Sequence, residues 1–207
     1  LRCWQILQEK CPRIRKIYTF DKRRCIDSVE CLKYLPHGLH SMELATHAFS
    51  SCLFAANTSS YITVPLKLLY ISGIVIESYK WFEGLPKSLT TLNIQLLDPC
   101  HIPDWSLVQF PENLTQLTLS TTQWPEMGTV RLLEGSLPRH LRSLSFCITF
   151  SNTNGFDKRH PPITDENINK RYPPITDAHI AMLPRDLVHL EIDGPQEVNI
   201  VNCVLNI

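Results

Sequence analysis

A ten-residue pattern that recurs along the chain constrains the fold more than any other sequence feature. The pattern is L-P-x-x-L-x-x-L-x-L, and other apolar residues replace Leu only at its apolar positions. Its five copies are LPHGLHSMEL (35–44), LPKSLTTLNI (85–94), FPENLTQLTL (110–119), LPRHLRSLSF (137–146) and LPRDLVHLEI (183–192). Self-similarity of this kind predicts a repeat architecture before any single element is considered.

Two looser copies extend the pattern towards the amino terminus. One contains Leu66 and Leu69 without a proline in the expected place, and the other follows Cys11-Pro12. The first strand leucine, or its equivalent, then falls at Ile14, Leu39, Leu66, Leu89, Leu114, Leu141 and Leu187, in steps of 25, 27, 23, 25, 27 and 46 residues. The last step is twice 23, so we expect one repeat there to be degenerate or replaced.

Each copy has the pattern of a parallel strand that is covered on one face. Apolar residues at alternate positions, as in Leu117-x-Leu119, suit such a strand. Proline belongs before the strand because it donates no ladder hydrogen bond and disfavours helix in the residue before it. Helix starts are predicted at Asp27-x-x-Glu30, at 127–135 and at Ile175-Thr176-Asp177. Each repeat is therefore predicted to run from helix to strand to loop.

One such repeat buries too little apolar surface to fold alone, so the copies must stack into a solenoid. We therefore expect an α/β fold with a curved parallel sheet and short, irregular convex helices. The chain 1–207 would be a single solenoid fragment of about seven to eight irregular repeats. An insertion is expected near 151–175, where KRHPPITDENIN (158–169) is followed by the near-duplicate KRYPPITDAHIA (170–181). This duplication is either a tolerated surface insertion or a protruding loop that adds binding surface.

The repeats resemble those of leucine-rich repeat proteins, in the LPxxLxxLxL form also seen in FNIP-type repeats. Leu7-x-x-x-Cys11-Pro12 and the two Ile-Thr-Asp segments are similar to the cysteine-containing repeats that are common in F-box proteins. The resemblance implies a leucine-rich repeat solenoid that recognises proteins, as the F-box substrate receptors of ubiquitin ligases do. The family's Asn or Cys eight residues after the first strand leucine is missing, so we expect irregular loops.

Composition excludes several classes of protein. With 43% hydrophobic residues, the chain matches neither a disordered segment nor a coiled coil. No apolar stretch approaches the roughly 18 residues of a membrane span. The eight cysteines form no CxxC pair and no knot-like cluster, and the sequence opens without the pattern of a signal peptide. These features favour buried, reduced thiols and a cytoplasmic or nuclear protein.

The sequence contains no motif of a catalytic or metal site. It lacks GxSxG, HExxH, GxGxxG and a glycine-rich phosphate loop. We therefore expect no enzyme activity, no cofactor and no bound metal.

The predicted binding surface is the concave face of the sheet. Alternation directs the residues that flank the second strand leucine towards this face. They are Ser41, Glu43, Leu68, Tyr70, Thr91, Asn93, Gln116, Thr118, Ser143, Ser145, His189 and Glu191. Leu68 and Tyr70 are either anchors for a protein partner or incidental apolar residues on a plain sheet.

A second hypothesis concerns the amino-terminal segment. Residues 1–24 hold eight Lys or Arg against two carboxylates, although the whole chain has no formal net charge. The basic segment 10–24 could therefore bind nucleic acid or another polyanion. We expect a protein partner on the concave face rather than nucleic acid, and the sequence does not set the oligomeric state.

Overall fold

The fold is built on parallel strands joined side by side. The computed structural model describes residues 2–19, 29–44, 53–54, 58–76, 78–96, 105–121, 137–148, 177–193 and 203–206. Within these ranges the strands are β1 (Lys16–Thr19), β2 (Ser41–Leu44), β3 (Leu53–Phe54), β4 (Leu68–Ile76), β5 (Thr91–Leu96), β6 (Gln116–Thr121), β7 (Ser143–Ile148), β8 (His189–Asp193) and β9 (Cys203–Asn206). Seven of them pair in parallel, in the order β1-β2-β4-β5-β6-β7-β8.

Helices are short and few in the described ranges. They are α1 (Arg2–Lys10), α2 (Lys80–Glu83), α3 (Asp177–Ala181) and three 3₁₀ helices at Val29–Tyr34, Thr58–Tyr61 and Trp105–Leu107. The helix predicted from Ile175-Thr176-Asp177 is present as α3, whereas the one predicted from Asp27 is 3₁₀ where it is described. The predicted helix at 127–135 lies outside the described residues. The chain thus has an α/β fold in which the sheet dominates.

A single turn precedes five of the strands and explains the proline of the repeat. The N–H of the first strand leucine donates to the carbonyl of the proline three residues earlier. These bonds are Leu39 to Pro36 at 3.0 Å, Leu89 to Pro86 at 3.0 Å, Leu114 to Pro111 at 3.1 Å, Leu141 to Pro138 at 3.1 Å and Leu187 to Pro184 at 3.1 Å. Proline loses nothing here, because the turn uses its carbonyl and not its missing N–H.

The copy without the proline in place closes by a different turn. Pro65 directly precedes Leu66, and the Leu66 N–H donates to the Val64 carbonyl at 2.8 Å. The tighter turn still buries Leu66 completely. The buried leucine is therefore retained even where the proline has moved.

Each turn is joined to the next by a shared carbonyl at the start of the strand. The His40 carbonyl accepts hydrogen bonds from the N–H groups of Lys67 at 2.8 Å and Leu68 at 3.1 Å. In the same way, two consecutive N–H groups donate to each of the carbonyls of Arg15, Lys67, Thr90, Thr115 and Arg142. The hydroxyls of Thr90 and Thr115 add a hydrogen bond to two of these shared carbonyls, those of Lys67 and Thr90, at 3.0 and 3.1 Å. Together with the hydrophobic pattern, these bonds hold neighbouring strands in one register.

The core lies on one face of the sheet and is layered by this register. Met42, Leu69, Leu92, Leu117, Leu144 and Leu190 are paired from strand to strand, and each is at most 1% exposed. Burying each such side chain contributes about 1.5–3 kcal/mol. Trp81, Phe82 and Phe110 belong to the same cluster, away from the strands.

The long step between the last two copies places no strand between β7 and β8. Ser143 of β7 pairs directly with His189 of β8, although 46 residues separate Leu141 from Leu187. No strand of the expected degenerate repeat therefore lies between β7 and β8. The duplicated segment 158–181 lies outside the described residues, apart from α3.

Two strands lie outside the seven-strand parallel array. The segment VNIVNCVLNI (198–207) alternates in polarity as a strand does, and β9 within it runs antiparallel to β8. The short β3 was not expected, and it pairs in parallel with the far end of β4 through Val75 and Ile76. The parallel array thus ends at β8.

Deleting 158–169 should leave the fold intact, because β7 and β8 pair without it. Shortening a loop changes its closure entropy only slightly, at about 0.6 kcal/mol for each doubling of length. We expect the thermal melt, followed by circular dichroism, to shift by a few degrees at most. The matched control is deletion of 110–121, also twelve residues, which removes β6 and should abolish soluble folding. Equal loss of soluble protein in both deletions would contradict this account.

Candidate binding face of the sheet

The sheet register brings all twelve predicted surface residues together in two rows. The first row runs across neighbouring strands through Ser41, Leu68, Thr91, Gln116, Ser143 and His189. The second runs through Glu43, Tyr70, Asn93, Thr118, Ser145 and Glu191. We call these two rows the binding face. Residues up to about 150 positions apart in sequence thus share one continuous surface.

Ten of the twelve side chains are partly or fully exposed. Ser41 and Ser145 are the exceptions, each at 8% exposure, although alternation predicted that they face outward. Serine is short, and larger side chains stand beside it in the row: Leu68 next to Ser41, and Glu191 next to Ser145. The two serines therefore lie on the predicted side of the sheet but below its surface.

Polar contacts within the rows are concentrated at the β7–β8 end. The Ser145 hydroxyl donates to Glu191 Oε2 at 2.8 Å. His189 Nε2 lies 3.9 Å from the same oxygen. This trio lacks the contact that activates a serine nucleophile, because the hydroxyl donates to the carboxylate and not to the imidazole. In the middle of the face, Thr91 Oγ1 donates to Gln116 Oε1 at 3.3 Å.

The opposite end of the binding face, on β1, β2 and β4, carries apolar and aromatic side chains. Leu68 and Tyr70 are both partly exposed on β4. Tyr18 on β1 is 48% exposed, and it pairs with Glu43, which in turn pairs with Tyr70. Two tyrosines therefore flank one carboxylate in the same row.

Sequence reasoning missed Lys16 and Tyr18, which extend the two rows onto β1. The signal was present in the loose copy that contains Ile17. Applying the flanking rule to Ile17 selects these two residues.

A third row beyond the template was missed as well. It contains Ser72, Gln95, Ser120, Cys147 and Asp193. The sequence signal for this third row was the alternation of apolar and polar residues, which continues past the last leucine of the template. The row begins beside a bulge at Gly73, whose φ of 74° lies in the left-handed region that favours glycine. Ser72 is 1% exposed there, so the row starts buried.

The cysteines only partly follow the prediction of buried thiols. In the described ranges, Cys31 is buried, Cys147 is intermediate and Cys11 is exposed, and none of these three forms a disulfide bond.

Two features are absent from the described part of the chain. No group of three or more His, Cys, Asp or Glu side chains there could hold a metal ion. None of its helices is long and apolar enough to cross a membrane.

Comparison of the chain with protein-family models, with curated proteins and with solved structures finds no match.

Proposed function

We propose that the chain is a leucine-rich repeat solenoid with a curved sheet, and that it recognises a protein through the binding face. The observation that supports this most directly is the alignment of the two rows across six consecutive parallel strands. A continuous face of this kind suits a partner that lies across several repeats.

Tyr18, Leu68 and Tyr70 are the proposed anchors. Each is partly exposed and stands on the side of the sheet opposite the buried leucine row. Aromatic side chains dominate the energetics of protein interfaces because they bury a large area and lose few rotamers. A partner segment that covers this end of the face would pack apolar side chains on these anchors and offer a hydrogen-bond donor or a cation to Glu43, which lies between the two tyrosines.

The remainder of the face suits polar contacts that fix the partner's position. Thr91, Asn93, Gln116 and Thr118 offer neutral donors and acceptors, and Glu191 adds a carboxylate. A face with an apolar end and a polar remainder matches the core and rim of a protein interface. The setting we propose, by resemblance to F-box proteins, is substrate recognition for a ubiquitin ligase.

The test compares partner capture by the wild type and by Leu68→Glu/Tyr70→Glu. The two introduced glutamates would be buried under the bound partner. They should lower the affinity for the partner by at least thirtyfold, since a hot-spot residue contributes about 2 kcal/mol or more. The measurement is affinity capture from lysate, quantified by mass spectrometry and followed by titration of the captured protein.

The matched control is Leu107→Glu/Met182→Glu. These residues are also apolar and exposed, at 48% and 57%, but they lie outside the binding face. The control should capture the same proteins as the wild type. If the anchor variant and the control retain the same partners equally, the binding face is not the recognition surface.

A further inference from the structure

A second surface lies along the edge where the strands begin. Seven turns lead into the parallel strands, at 12–15, 36–40, 63–67, 86–90, 111–115, 138–142 and 184–188. They carry seven Lys or Arg side chains, all exposed, which we call the cationic edge. Its members are Arg13, Arg15, Lys67, Lys87, Arg139, Arg142 and Arg185.

The backbone register aligns the turns that carry these side chains. Arg15, Lys67 and Arg142 supply shared carbonyls that fix neighbouring turns to each other, and they occupy equivalent positions. Adjacent turns therefore follow the strand spacing of about 4.8 Å. Six such intervals place the first and the last turn roughly 29 Å apart.

Charge along this edge is not balanced locally. The same seven turns hold only two carboxylates, Glu112 and Asp186, and Asp186 lies 3.6 Å from His140. The edge therefore carries a formal charge of +5 in a chain whose net charge is zero. Like charges in one line repel each other, so the arrangement costs stability unless an anionic partner compensates it.

None of these seven cations forms an ion pair with another described residue. Arg15 donates through Nη1 to the Gly38 carbonyl at 2.8 Å, which leaves its charge unneutralised. Arg13, Lys67, Lys87, Arg139, Arg142 and Arg185 form no ion pair with another described residue. Their charges are available to a partner.

We propose that the cationic edge binds an acidic, extended polypeptide segment. At about 3.3 Å per residue, roughly nine extended residues would span the line of turns. Arginine forks pair with carboxylates through two parallel hydrogen bonds. The seven turns contain no Phe, Tyr or Trp on which nucleotide bases could stack. The choice of a polypeptide also rests on the proposed function, because the edge borders the binding face.

The test measures binding of fluorescein-labelled deca-glutamate by fluorescence anisotropy in 50 mM salt. Arg139→Glu/Arg142→Glu should weaken binding about tenfold, because two favourable charge pairs become repulsive. The charge-matched control is Lys33→Glu/Lys80→Glu, on the helical segments, and it should bind as the wild type does. Arg139→Gln/Arg142→Gln replaces the charge-reversal variant if that one fails to fold, and it too should weaken binding.

Three results would overturn the proposal. They are no binding of the peptide to the wild type, equal loss in the edge variant and the charge-matched control, or tighter edge-dependent binding of a 20-base-pair DNA duplex. The last of these would assign the edge to nucleic acid. Leu68→Ala/Tyr70→Ala should retain peptide binding, because it leaves the cationic edge unchanged. A negative result for peptide binding at the cationic edge can therefore be distinguished from a negative result for partner capture at the binding face.

Discussion

Replacing Leu117 by Asp should unfold the chain. Leu117 is fully buried on β6, and its register partners Leu92 and Leu144 are fully buried as well. A carboxylate there would lose its hydration without gaining a partner, and the leucine contacts would be lost too. The combined cost exceeds about 4 kcal/mol, a large fraction of the 5–15 kcal/mol stability of an ordinary domain. Circular dichroism should show no cooperative thermal transition.

The adjacent residue provides the control. Thr118→Asp introduces the same carboxylate on the same strand, but on the partly exposed binding face. We expect its free energy of unfolding to change by no more than about 1 kcal/mol. A normal melt for Leu117→Asp would show that the register of the repeat is wrong.

Phe82→Ala should be the second most damaging single change. Phe82 is 1% exposed on α2, and its ring makes edge-on contacts with Trp81 at 5.3 Å and Phe110 at 5.2 Å between centroids. Truncating a buried phenylalanine costs about 3–5 kcal/mol. For a chain of this length, that lowers the melting temperature by roughly 6–20 °C.

Lys80→Ala is the control for this variant. Lys80 is exposed in the first turn of the same helix, so its loss should shift stability by about 0.5 kcal/mol or less. Differential scanning calorimetry distinguishes the two changes. A shift for Phe82→Ala as small as that of Lys80→Ala would mean that the aromatic cluster does not support the sheet.

The sequence pattern predicted the strands well because a single physical requirement repeats in every copy. Leu69, Leu117 and Leu144 each bury a side chain at the same point of a covered strand. Alternation then sets which neighbours face outward, so the residues of the binding face could be named before their pairing was known.

Features that depend on how distant parts of the chain pack together could not be predicted from the repeat pattern. Alternation at Cys203–Asn206 predicts a strand, but not its antiparallel direction, because both directions bury alternate residues alike. The burial of Ser41 and Ser145 depends on the size of neighbouring side chains and not on their own position. The 3₁₀ geometry of Val29–Tyr34 has the same origin, since packing overrides local helix preference there.

The shared carbonyl at each strand start has a consequence for how such a chain can change over evolutionary time. Backbone N–H groups form this joint at every strand start, so Arg15, His40, Thr90 and Thr115 occupy equivalent positions with different side chains. The hydroxyls of Thr90 and Thr115 only add a further hydrogen bond, so the backbone part of the joint is kept when the side chain changes. The electrostatic character of one rim is therefore free to diverge between related proteins while their architecture stays the same.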